Sequence, residues 1–67
     1  MTIYRLYAER GRGEYGQSEY GYYTFRGRAE QELSINKNEI QKRGDYTVSG
    51  YFDNDWKIEE IYVEANK

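Results

Sequence analysis

Apolar and aromatic side chains fall in separate runs along the chain, and each run carries its own period. "TIYRLYAER" (2–10) and "EYGYYTF" (19–25) are rich in the aromatic and β-branched residues that favour strands. Between them lies "GRGEYGQS" (11–18), polar and glycine-rich, so the pair predicts a long antiparallel hairpin. Phe25, Ala29, Leu33, Asn36 and Ile40 then fall within roughly 40° of one line at about 100° per residue, the stripe of an amphipathic helix. Lys42 and Arg43 suit the negative end of the helix dipole, and Gly44 suits a left-handed cap. The run "SINKN" (34–38) has poor helix propensity, with Ile35 off the stripe, which marks Ser34 as a candidate break. Strand character returns in "DYTVSGYF" (45–52) and "WKIEEIYVE" (56–64), separated by the polar turn "DND".

The expected fold is therefore α+β: a single small domain spanning residues 1–67, in the order strand, strand, helix, strand, strand, with one antiparallel sheet and the helix on one face. Strand alternation gives that sheet two apolar faces. Tyr4, Leu6 and Ala8 oppose Ile3 and Tyr7; Tyr20 and Tyr22 oppose Tyr23 and Phe25; Trp56, Ile58 and Tyr62 oppose Ile61 and Val63. One helix covers one face, so the other is expected to leave an aromatic patch for a partner. A second copy is one such partner, and a homodimer with Tyr7 or Tyr22 at its contact is expected. Trp56 is expected to anchor the core or the interface.

Composition supports a folded chain despite few aliphatics. Leu, Ile, Val and Phe number 11 of 67, but nine tyrosines and Trp56 supply apolar area, and the net charge is only −2. At 67 residues, without cysteine or histidine, neither a disulfide nor a structural zinc site can staple the fold. No apolar run is long enough to span a bilayer and no signal-peptide pattern opens the chain, so a cytoplasmic location is expected.

The glycine segment holds "GRGEYG" (11–16), the G-x-G-x-x-G spacing of dinucleotide-binding loops. That chemistry needs a helix starting within the motif to face the phosphates, and here a strand follows, so a turn is the reading. "SEYGYYTF" (18–25) resembles the octapeptide of RNA-recognition motifs at Tyr20, Gly21, Tyr22 and Phe25, while Ser18 and Glu19 depart from it. The connection from the first strand is too short for that fold. A stacking surface remains as an alternative, binding a nucleotide or single-stranded nucleic acid through Tyr4, Tyr20 and Tyr22 with Arg10 and Arg12.

Asp53, Asp55 and Glu64 fall at positions 1, 3 and 12 of a calcium-loop template, but Lys57 and Ile58 occupy the fifth and sixth positions and spoil it. No metal or cofactor is expected. Catalysis is not expected either: there is no histidine or cysteine, no serine stands out as an activated nucleophile, and Glu59 and Glu60 point to opposite sides of a strand. Residues 44–67 carry six acidic and two basic side chains, a local balance of −4, which suits a partly basic partner surface. The candidate interface residues are Tyr7, Tyr20, Tyr22, Asp53, Asp55, Glu59 and Glu60.

"AEQEL" (29–33) followed by "WKIEEI" (56–61) resembles small, largely uncharacterised proteins encoded by phages and prophages of Gram-positive bacteria. The resemblance implies a non-enzymatic accessory product that binds a host protein, a defence or nucleic-acid enzyme, and inhibits it.

Overall fold

The computed structural model describes residues 1–11 and 16–64. It contains strand β1 (Thr2–Glu9), strand β2 (Gln17–Tyr23), helix α1 (Arg26–Arg43), a 3₁₀ turn (Asp53–Asp55) and strand β3 (Trp56–Tyr62). The sheet has the order β2-β1-β3 and both pairings are antiparallel, so the fold is α+β with three strands and one helix among the described residues.

β1 and β3 pair without a shift, from Thr2 opposite Tyr62 to Ala8 opposite Trp56. The terminal ammonium and carbonyl of Met1 extend this ladder to Val63. β1 and β2 instead carry a bulge. Leu6 lies opposite Gly21 and Tyr7 opposite Glu19, which leaves Tyr20 as the extra residue. The bulge breaks simple alternation: Tyr20 and Tyr23 both pack against the core beneath the helix, whereas Tyr22 stays exposed. The expected grouping of Tyr20 with Tyr22 is corrected accordingly.

Helix α1 runs unbroken through Ser34, because Ala29, Leu33 and Ile40 all bury against the sheet and outweigh the weak propensity of "SINKN". Gly44 closes it in the left-handed region at φ 74°. Phe25 is not part of the buried stripe. It is the residue before the first turn, in extended conformation and 74% exposed. The core is small: Leu6, Ala8, Ile40 and Trp56, with Tyr20, Tyr23, Leu33, Tyr51 and Ile58 packed around them.

The expected fourth strand, 45–52, is absent. The segment folds as successive turns and bends, although Tyr46, Thr47, Val48, Tyr51 and Phe52 are good strand formers. Side chains take up its backbone groups in place of a sheet neighbour. Asp45 begins this locally, accepting from the backbone N–H and hydroxyl of Thr47 in an Asx turn. The expected polar turn at "DND" is present as the 3₁₀ turn leading into β3.

Candidate functional site

Asp55 is the key to the geometry of the irregular segment. It ends the 3₁₀ turn, is buried, and its Oδ2 accepts from the backbone N–H groups of Gly50 at 3.2 Å and Phe52 at 3.3 Å. The adjacent Trp56 turns its indole inward, where Nε1 donates to the Gly50 carbonyl at 2.8 Å. Gly50 thus has both backbone groups satisfied by neighbouring side chains. From the other side, the Tyr20 hydroxyl donates to the Ser49 carbonyl at 3.4 Å, and Ser49 Oγ donates to the Gly16 carbonyl at 3.1 Å. Gln41, from the last turns of α1, donates to the Tyr51 carbonyl and to Asp53 Oδ1, both at 2.9 Å. Lys37 reaches the same Asp53 oxygen at 3.4 Å.

This lattice holds a run of aromatic rings at the surface. Tyr46 meets Tyr51 edge-on with centroids 6.2 Å apart, and Tyr51 meets Phe52 edge-on at 5.2 Å. The Arg10 guanidinium lies over the Phe52 ring at 5.7 Å. Tyr46 is 59% exposed and Phe52 44%. Beside them, Gln41, Tyr51, Phe52, Asp53 and Asn54 line an open concavity of about 500 Å³. The Gln41 hydrogen bond, helped by Lys37, holds the Asp53 carboxyl below its ordinary range, so the rim carries an ionised Asp53 offset by the Lys37 ammonium. Sequence reasoning missed Tyr46, Tyr51, Phe52, Gln41 and Asn54 as a site, because it placed Tyr46, Tyr51 and Phe52 on a strand.

The open face of the sheet is not the aromatic patch expected. Arg5 occupies its centre, with Nε 2.7 Å from Glu19, Nη1 3.1 Å from Glu59 and Nη2 3.1 Å from the Gln17 side-chain carbonyl. Its guanidinium lies 4.0 Å from the centre of the Tyr7 ring. Glu9 accepts from the Gln17 amide, and the Tyr22 hydroxyl donates to Glu19. The Glu19 carboxyl is held below its ordinary range, first by the Arg5 hydrogen bond and next by Tyr22, while the Arg5 guanidinium is held more firmly protonated. A polar network thus covers this face. The alternation of aromatics had suggested otherwise because Arg5, Glu19 and Glu59 were not weighed as a cross-strand group.

The candidate interface residues therefore divide. Tyr7, Tyr22 and Glu59 share the open face; Glu60 lies on the helix side, paired with Arg26 at 3.7 Å; Asp53 is on the rim of the concavity. Asp55 is turned inward, and Tyr20 packs on Trp56 with centroids 4.8 Å apart. The stacking set is not brought together. Tyr22 is on the open face, Tyr4 and Tyr20 are on strands facing the helix, Arg10 lies beside Phe52, and Arg12 is outside the described residues. Among the described residues no group of three or more acidic, cysteine or histidine side chains is placed to hold a metal, and no helix is long and apolar enough to cross a membrane.

No protein-family model, curated protein or solved structure matches the chain.

Proposed function

We propose that the chain is a non-enzymatic interaction protein, and that the Tyr46, Tyr51 and Phe52 rings with the adjoining concavity are its contact surface. The observation that carries this reading is the exposure of Tyr46 and Phe52, with the partly buried Tyr51 joining them, on a segment whose backbone is tied down by Asp55, Trp56, Tyr20 and Gln41. Aromatic side chains and Arg dominate the energetics of protein contacts, and rigidly placed loops are where such contacts concentrate. Charges of both signs border the rings, Asp53 with Lys37 and Asp45 with Arg43 and Arg10, which favours a partner that offers an apolar or aromatic side chain to the rings within a mixed polar rim. In the context of a phage-encoded accessory product, such a surface acts by covering a functional site of a host enzyme.

Capture from host lysate on immobilised wild-type, Phe52→Ala and Tyr46→Ala proteins tests this, followed by an activity assay of whatever is retained. The expected outcome is one retained protein that both ring variants lose, with melting temperatures close to wild type, and that the wild type inhibits. Equal retention by all three proteins would move the function elsewhere on the surface. Titration with salt separates the nucleic-acid alternative, whose binding weakens steeply with ionic strength whereas an aromatic contact changes little.

A further inference from the structure

The two edges of the sheet differ in a way that points to a second copy of the chain. β2 is disrupted at its bulge, with Gly21 at φ 155°, and natural sheets use such bulges to block pairing at an edge. β3 carries no bulge: it runs from Trp56 to Tyr62 in continuous register, and among the described residues its one strand neighbour is β1. Along its outward backbone edge the Trp56 N–H donates to the Asp53 carbonyl, and among the described residues no hydrogen bond from outside β1 reaches the outward backbone groups of Ile58, Glu60 or Tyr62. We infer that two chains pair through their β3 edges, antiparallel and about a two-fold axis centred on Ile58, to form one six-stranded sheet.

Charge favours that register: centring on Ile61 opposes no like charges but forms no ion pair, whereas centring on Ile58 forms two. A two-fold axis perpendicular to the sheet keeps faces together, so each register is defined by the residue that meets its own copy. Centring on Lys57, Glu59 or Glu60 sets like charges directly opposite each other, which destabilises cross-strand pairs. Centring on Ile58 sets Lys57 opposite the partner's Glu59, and Glu59 opposite the partner's Lys57, both on the open face. It also sets Ile58 against its copy on the helix side. Lys57 has no ion pair within the described chain, its neighbour across β1 being Tyr7. Glu59 uses one oxygen on Arg5 and has the other for a partner.

The layers accommodate this arrangement. Both helices lie on the same side, each above its own three strands, and three strands at about 4.8 Å spacing match the width of one helix of about 10 Å. Ile58, only partly buried in one chain, becomes a central residue of the joined sheet. The ion pairs that define this contact come from Lys57 and Glu59, which are not among the residues of the proposed partner surface, so Lys57→Glu tests the contact without altering the rings of Tyr46, Tyr51 and Phe52.

Sedimentation equilibrium and thiol cross-linking test the inference. The wild type is expected to form a dimer at micromolar concentration, and Lys57→Glu, which puts carboxylates opposite at both ends of the register, is expected to weaken association by about tenfold or more. Far-UV circular dichroism checks that the variant remains folded. The natural chain contains no cysteine, so cross-linking is unambiguous. A mixture of Lys57→Cys and Glu59→Cys proteins is expected to give a disulfide-linked pair under mild oxidation faster than either protein alone. A wild type that stays monomeric into the hundreds of micromolar overturns the inference. So does a folded Lys57→Glu variant that associates unchanged, or cross-linking with no preference for the mixture.

Discussion

The indole of Trp56 and the backbone of Gly50 close on each other from two directions. Trp56 Nε1 donates to the Gly50 carbonyl at 2.8 Å, and a methyl group added at Gly50 would stand 2.9 Å from Trp56 Cζ2 and 3.1 Å from Ile40 Cδ1. Gly50 also sits at φ +103°, a conformation that side-chain-bearing residues rarely adopt. Gly50→Ala is therefore expected to destabilise by about 2 kcal/mol or more through strain and overpacking. Chemical denaturation of the two proteins measures this directly.

Trp56 is the largest member of the core, 9% exposed and packed at a tilt against Tyr20. Trp56→Ala is expected to cost about 3–5 kcal/mol, a large share of what so small a domain possesses. Trp56→Phe keeps part of the apolar contact and removes the donor to Gly50 together with the outer part of the ring, so an intermediate loss is expected. Melting curves that rank the two variants equally would show that the ring's area, and not its N–H, is dispensable.

Asp55 accepts from two backbone N–H groups that no other side chain reaches. Asp55→Ala leaves them unpaired in a buried place, at an expected loss of about 1–3 kcal/mol. Asp55→Asn retains an acceptor oxygen and is expected to recover part of that loss. Hydrogen exchange at the amides of Gly50 and Phe52 should rise in the alanine variant before exchange in β1 does.

Acid should weaken the open face gradually. The Glu19 carboxyl lies below its ordinary value of 4.5 in the folded chain, chiefly through its hydrogen bond with Arg5. A depressed carboxyl contributes in full well above that ordinary value, and its contribution is lost as pH falls through the lowered folded one. Asp45 and Asp53 are shifted the same way from 3.8. Melting temperature is thus expected to decline as pH drops below about 4.5, with Glu19→Gln showing a lower plateau at neutral pH and a shallower decline. Added salt should flatten both profiles, because these groups are solvent-exposed.

Much of the framework was legible because local pattern and tertiary demand agree there. β1, β2, α1 and β3 each carry a periodic run that one buried face satisfies, and Lys42, Arg43 and Gly44 end the helix where the chain chemistry says they should. The 45–52 segment was not legible, because its strand-forming residues lose to partners distant in sequence. Tyr20 is 29 residues from Ser49, and Gln41 is 10 from Tyr51. The bulge was equally hidden: nothing in "SEYGYYTF" marks Tyr20 rather than a neighbour as the extra residue, and that one residue decides which tyrosines face the helix. The candidate site inherited both errors. Tyr20 and Asp55 proved to be internal supports, while the rings they support had been assigned to a sheet.

Because Trp56 belongs both to the core cluster and to the clasp on Gly50, the ring-bearing segment is expected to melt with the domain and not before it. On that expectation its ordering entropy is settled when the domain folds, so a partner of the kind proposed would meet a surface already in its final shape and association would be spared that cost. The same coupling runs in reverse. Anything that seats on Tyr51 and Phe52 must hold the whole domain together by mass action, and the single tryptophan will report its arrival as a rise in the temperature at which its fluorescence changes.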